Sequence, residues 1–158
     1  MARVAADGPF SEFAGIDRSL AIAAGRGLAL TIGDCPEVVL DSTSEPVRFA
    51  GDTPTSASLL AGPIVDLNAM TRRGRFDHRL QRVSTSTNCD FGDHDIAAIV
   101  APCDEVSLVA RQGTVTLMRG DAAILTSAAD APCLIVPAPA SACYLVLLRE
   151  TRRQPGSA

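Results

Sequence analysis

Nowhere along this chain do apolar residues recur at i, i+3, i+4 and i+7 for long before a Gly or Pro interrupts them. What recurs is a short run rich in Val, Ile, Leu and Thr, closed by Gly, Pro, Asp or Ser. Leu28, Leu30 and Ile32 alternate with Ala29 and Thr31, the period-2 pattern of a strand with one buried face. Similar runs occupy residues 3–6, 19–24, 37–40, 47–50 and 56–60 in the first half. In the second half they cover 76–83, 96–101, 105–110, 114–118, 122–126, 133–136 and 143–148. Many short strands at near-regular spacing predict an all-β sandwich or barrel with very little helix. The one helical candidate is 64–70, because Gly62-Pro63 would place a proline where helices tolerate it, at the start.

The punctuation suggests how the strands are joined. Asp7-Gly8-Pro9 reads as a turn, and Gly25-Arg26-Gly27 reads as a hairpin between 19–24 and 28–32. Gly51-Asp52 and Gly120-Asp121 each close one strand run and open the next, a faint internal echo. That echo is compatible with two similar β modules, about 1–65 and 66–150, within a single domain spanning 1–150. Residues 151–158, ending Gln154-Pro155-Gly156-Ser157-Ala158, read as a flexible tail.

Composition then narrows the functions. A length of 158 residues suits one domain, and with aromatics at 4% and no Trp the core must be Val, Ile, Leu and Ala. The net charge of −4 disfavours nucleic acid, and no apolar stretch approaches the ~20 residues of a membrane span. All 14 cationic side chains are Arg, so chemistry that needs a lysine amine is excluded: Schiff bases, P-loops, protein kinases. The start lacks the apolar core of a signal peptide, and the five Cys are odd in number, with no C-x-x-C. A cytoplasmic protein with reduced thiols is the expectation.

Catalytic and metal-binding constellations are hard to find. The only histidines are His78 and His94. Cys89-Asp90-Phe91-Gly92-Asp93-His94-Asp95 mixes ligand types, but its spacing matches neither zinc nor calcium motifs, so it reads as a solvated acidic loop. Arg119-Gly120-Asp121 reads as a hairpin turn. There is no Gly-x-Ser-x-Gly elbow and nothing that places a Cys beside a His. Neither a catalytic residue nor a metal or other cofactor is expected.

One resemblance is specific. Residues 7–20, containing Gly8-Pro9-Phe10-Ser11 and Gly15-Ile16-Asp17-Arg18, resemble the GPFS-x-F-x-G-x-(D/E)R motif of HutD/Ves proteins. Four pieces follow in family order: Gly25-x-Gly27-Leu28-x-Leu30, Phe49-x-Gly51-Asp52, Leu60-x-Gly62-Pro63 and Asp66-x-Asn68-x-Met70-x-Arg72-Arg73. The resemblance covers residues 2 to 75 and implies a cupin-like fold of two β modules. Family members usually open with a strand carrying a Trp-x-Asn-Gly-Gly-Gly-like segment and have a later Trp-Arg. This chain has no Trp and starts at what would be the second strand, so the family's N-terminal segment is expected to be missing.

The resemblance also implies a functional setting. It points to a regulator of histidine utilisation that binds a pathway intermediate and has no established catalysis. Arg72 and Arg73 fall inside the last motif beside Asp66 and Asn68, and together with Ser11 and Arg18 they are the candidate ligand-binding residues. A guanidinium grips a carboxylate bidentately and an Asn amide both donates and accepts, so such a pocket suits a small anionic ligand, for instance N-formylglutamate or urocanate. The competing reading is an Asp66–Arg or Asp17–Arg pair that only fixes a turn. Two other functions stay open: a metal-independent cupin isomerase or hydrolase, and a structural or truncated relic without a working pocket. The chain could pair as a homodimer.

Overall fold

The computed structural model describes residues 1–126 and 133–151; the proposed tail beyond Thr151 lies outside them. The chain divides into two compact units, Met1–Arg73 and Gly74–Ala158. The described residues contain no helix, hence none long and apolar enough to cross a membrane.

The first unit is built from two four-stranded antiparallel sheets. One has the spatial order β1 (Ala2–Val4), β8 (Ile64–Arg72), β3 (Ile16–Ala24), β6 (Val47–Ala50). The other runs β2 (Gly8–Pro9), β7 (Thr55–Leu59), β4 (Leu28–Ile32), β5 (Val38–Leu40). Leu20, Ile22, Phe49 and Ile64 of the first sheet share one apolar cluster with Leu28, Leu30, Leu40 and Ala57 of the second. Leu20, Leu28 and Leu30 have no solvent exposure, and each contributes about 1.5–3 kcal/mol by burial.

The second unit repeats the plan. One sheet runs β14 (Ala122–Thr126), β11 (Ile96–Val100), β16 (Cys143–Glu150), β9 (Phe76–Val83). The other runs β10 (Thr87–Asn88), β15 (Cys133–Pro137), β12 (Val106–Ala110), β13 (Gly113–Leu117). Ala97, Ile99 and Leu145 from one sheet meet Val106, Leu108 and Ile135 from the other in a separate core. The architecture of the described residues is all-β, as expected.

Several local expectations are corrected. Gly8–Pro9, read as part of a turn, form the short strand β2 paired with β7. Arg119-Gly120-Asp121 is not a hairpin turn, since it leads from β13 in one sheet of the second unit to β14 in the other. Residues 64–70 are not helical: they form most of β8, paired with β1 on one edge and β3 on the other. β3 lies along the strand from Val65 to Arg72 and β1 closes the other edge over Ile64–Asp66, so ladder bonds to these partners take the place of the bonds a lone segment would make by coiling. Both faces of β8 are largely buried at its start, which erased the alternation that would have marked it as a strand. Gly25-Arg26-Gly27 is likewise not a hairpin. It carries the chain from β3 in one sheet to β4 in the other, so that Leu20 and Ile22 face Leu28 and Leu30 across the core. Gly27 takes φ +103°, and a Cβ there would stand 2.2 Å from the Leu40 carbonyl oxygen.

Candidate functional site

The site grows from the inward row of β3. Alternation sends Arg18, Leu20 and Ile22 to one face; the latter two enter the apolar cluster, while Arg18 continues the row at its end. On the adjacent strand β8, Asp66, Asn68 and Met70 share a face, in register with Ile22, Leu20 and Arg18. Arg18 is therefore a diagonal neighbour of Asn68, within reach of a long side chain. Its Nε donates to Asn68 Oδ1 at 2.6 Å. Across the other edge Arg18 pairs with Phe49 of β6, and its guanidinium lies 5.4 Å from that ring and 4.5 Å from the ring of Phe10. Two aromatic faces and an amide thus hold the planar cation in one orientation.

Arg18 is only 5% exposed, and burial pulls its pKa below the ordinary arginine range while nearby Asp66 pushes the other way. Asp66 is itself buried and accepts the Ala2 backbone N–H at 3.2 Å, which ties β1 to the site. Around these groups lies a cavity of about 560 Å³. Arg18, Asp66, Asn68 and Ser11 all line it, with Phe10 and Met70 as apolar wall. Arg18 Nε is its only N–H with a protein acceptor among the described residues; both Nη groups are left without one.

Of the six residues singled out from sequence, these four come together. The other two do not line the cavity. Arg72 is exposed at the far end of β8, opposite Ile16. Arg73 follows the strand and is spent on structure: Nε donates to Asp17 Oδ1 at 2.8 Å, and Nη1 and Nη2 reach Asp52 at 3.1 and 3.0 Å. Its Nη2 also reaches the Ile16 carbonyl, and Gly15 N–H donates to Asp52 Oδ2 at 3.3 Å. Gly51 closes the same knot, with its N–H on Ile16 O and its carbonyl accepting from Phe13, both at 2.7 Å. The turn-fixing reading thus describes Arg73, through Asp17 and Asp52 rather than Asp66.

Phe10, Phe49 and Met70 escaped the sequence reading as site-forming residues, although all three stand inside the quoted motifs. The signal was an aromatic residue on each segment that flanks a buried arginine. Among the described residues no group of three or more His, Cys, Asp or Glu side chains converges. The segment 89–95 is not simply a solvated acidic loop either: Cys89 and Phe91 are buried in the second unit's core, which anchors it.

Comparison with known proteins places these features in context. A protein-family model described as HutD matches residues 1–143. The structure resembles HutD from Pseudomonas fluorescens SBW25 with a TM-score of 0.78 and 26% identity, covering 94% of this chain and 76% of that one. A conserved protein of unknown function from Pseudomonas aeruginosa PAO1 aligns with TM-score 0.73 at 23% identity, over 94% and 80% of the two chains. YhaK from Escherichia coli, at 12% identity and TM-score 0.62, covers 94% of this chain and 82% of its own, and shares the fold. No curated protein matches the sequence.

Proposed function

The chain belongs to the HutD family, and from that premise we propose that it is a non-enzymatic ligand-binding protein linked to histidine utilisation. Its guest is a small carboxylic acid, of which N-formylglutamate and urocanate are the candidates, held in the cavity beside Arg18. In this reading the protein acts in the cytoplasm, without a metal or other cofactor, and its partner is the ligand rather than nucleic acid or membrane.

The observation that carries the proposal is the Arg18 guanidinium, held through Nε by Asn68 Oδ1 and against two aromatic rings, lining a cavity of about 560 Å³. That volume falls in the range of small-molecule pockets, roughly 300–1,000 Å³. A buried cation without a hydrogen-bonded counter-ion is costly, and a carboxylate guest supplies what is missing. Asn68 and the Phe10 ring orient the fork, and Ser11 offers a hydroxyl at the rim.

Calorimetric titration with N-formylglutamate, urocanate and glutamate tests this. Saturable heat is expected with at least one of them. Arg18→Gln should weaken that binding by about 10- to 100-fold, the worth of a charge-assisted hydrogen bond at roughly 1.5–3 kcal/mol. Arg72→Ala should leave it unchanged. Absence of heat with all three acids would sink the proposal.

A further inference from the structure

We propose that the second unit carries a separate site for a zwitterionic α-amino acid with an aliphatic side chain, built by Arg79, Asp90 and His94. The site lies in a cavity of about 240 Å³ between strand β9, strand β16 and the segment 88–94. All of its residues belong to the second unit, and the inference is independent of the cavity beside Arg18.

The first observation is a histidine with half of its chemistry unused. His94 Nδ1 stands 3.1 Å from the Phe91 carbonyl oxygen and 3.2 Å from Asp93 Oδ1. Both neighbours are acceptors, so Nδ1 carries a proton, and in that tautomer Nε2 presents a lone pair. That Nε2 is buried and has no hydrogen-bond partner, and His94 lines the cavity. A buried acceptor of this kind is stabilised only by a donor that the chain itself does not supply.

The second observation is the charge pattern around it. Arg79 projects from β9 beside Gln81, whose amide oxygen, turned toward it, accepts from Nε at 3.2 Å and Nη2 at 2.9 Å. Those two bonds fix the guanidinium plane and leave its remaining N–H groups for a carboxylate. Asp90 supplies the opposite charge; one of its oxygens is held by the Gly92 N–H at 2.9 Å. The other nearby acid, Asp93, is bonded to Arg149, which also reaches Asp77 at 3.6 Å. The lining therefore presents Arg79 and Asp90 with no ion pair between them, next to His94 Nε2, while the second lining acid, Asp93, is taken up by Arg149.

An anion alone would meet Asp90, and a cation alone would meet Arg79. A zwitterion satisfies both: its carboxylate on Arg79, its ammonium on Asp90 and His94 Nε2. The rest of the lining is mixed: Gln81, Thr87, Asn88 and Asp93 are polar, while Phe91, Leu145 and Leu147 form the one apolar wall, and it is this wall that takes an aliphatic side chain.

The chain has two histidines, so long-range ¹H–¹⁵N spectra of the imidazoles resolve His94, with His94→Gln identifying its signals. The probes are L-leucine, isovalerate (carboxylate alone) and isoamylamine (ammonium alone). L-Leucine should move the His94 Nε2 resonance saturably while the two half-ligands bind at least tenfold more weakly. Arg79→Gln and Asp90→Asn should each weaken L-leucine at least tenfold, with an unchanged His78 signal reporting an intact fold. No saturable shift below about 10 mM L-leucine, a very weak affinity of under ~3 kcal/mol, would mean that water alone satisfies Nε2 and would overturn the site. Equal affinity for isovalerate would overturn the zwitterion.

Discussion

Two arginines in one motif-bearing module show how environment assigns a role. Arg18 is buried against two rings with its Nη groups turned to a cavity, whereas Arg73 is half exposed and wrapped by Asp17 and Asp52. The side chain is the same; its neighbours decide whether it is available. Gly27 is another residue whose identity is dictated by its surroundings. Gly27→Ala should cost more than ~2 kcal/mol, because an L residue at φ +103° is strained and its Cβ would overlap the Leu40 carbonyl. Gly62→Ala, at φ +70° with nothing within 4 Å, should cost only the backbone strain of about 1–2 kcal/mol. Urea unfolding midpoints would compare the two. The thiols also separate by environment. Burial pushes Cys89 and Cys143 up to about 11, while Cys35 is exposed. In the native protein at pH 8, Ellman's reagent should label Cys35 quickly and Cys89 and Cys143 only after unfolding; rapid release of all five would contradict this.

At the scale of elements, the segment before β3, the turn after β6 and the residue after β8 are tied by one ionic knot. Arg73 holds the Asp52 carboxyl down to about 2, well below the usual carboxylate range, helped by the Gly15 N–H. A depressed carboxyl binds its proton less readily folded than unfolded, so this contribution to stability is complete above the unfolded pKa near 4 and disappears as pH falls toward 2. Wild-type urea midpoints should therefore drop across that window. Asp52→Asn should flatten the drop, and an identical slope in the variant would assign the acid sensitivity elsewhere. Asp52 is exposed, which keeps the effect small. The same knot sets the end of β8 and so the position of Asn68 relative to Arg18; its influence on binding is indirect.

For the molecule as a whole, the telling feature is the separation into two cores. Ile22 lies in the first and Ile135 in the second, each essentially without solvent exposure. Trimming one methylene at either place, Ile22→Val or Ile135→Val, should cost about 0.5–1.5 kcal/mol. With no shared cluster the double variant should equal the sum within roughly 0.5 kcal/mol. A larger departure in the equilibrium unfolding energies would mean that the cores respond to each other. The division also allows one chain to carry two unlike cavities: an arginine with an amide and aromatic rings in the first unit, opposite charges with a histidine in the second.

The amino-acid order by itself marked most of the strands and, through the lack of any Lys, excluded chemistry that needs a lysine amine. Runs such as Leu28–Ile32, Val47–Ala50 and Phe76–Val83 appear in the structure with the bounds read from their alternation and punctuation, because period-2 patterning and turn residues are local properties. It also marked Ser11, Arg18, Asp66 and Asn68 as candidates, through motifs rather than through geometry. Only tertiary structure decided that 64–72 is a strand, that Gly25–Gly27 crosses between sheets, and that Arg73 is consumed by Asp52 while Arg18 is not. Each of those outcomes depends on which distant segments lie alongside: β1 and β3 on either edge of β8, Leu40 against Gly27, Phe10 and Phe49 against Arg18. Pairing partners far apart along the chain leave no periodic trace in it, and the competition for an arginine's hydrogen bonds is settled only when they arrive.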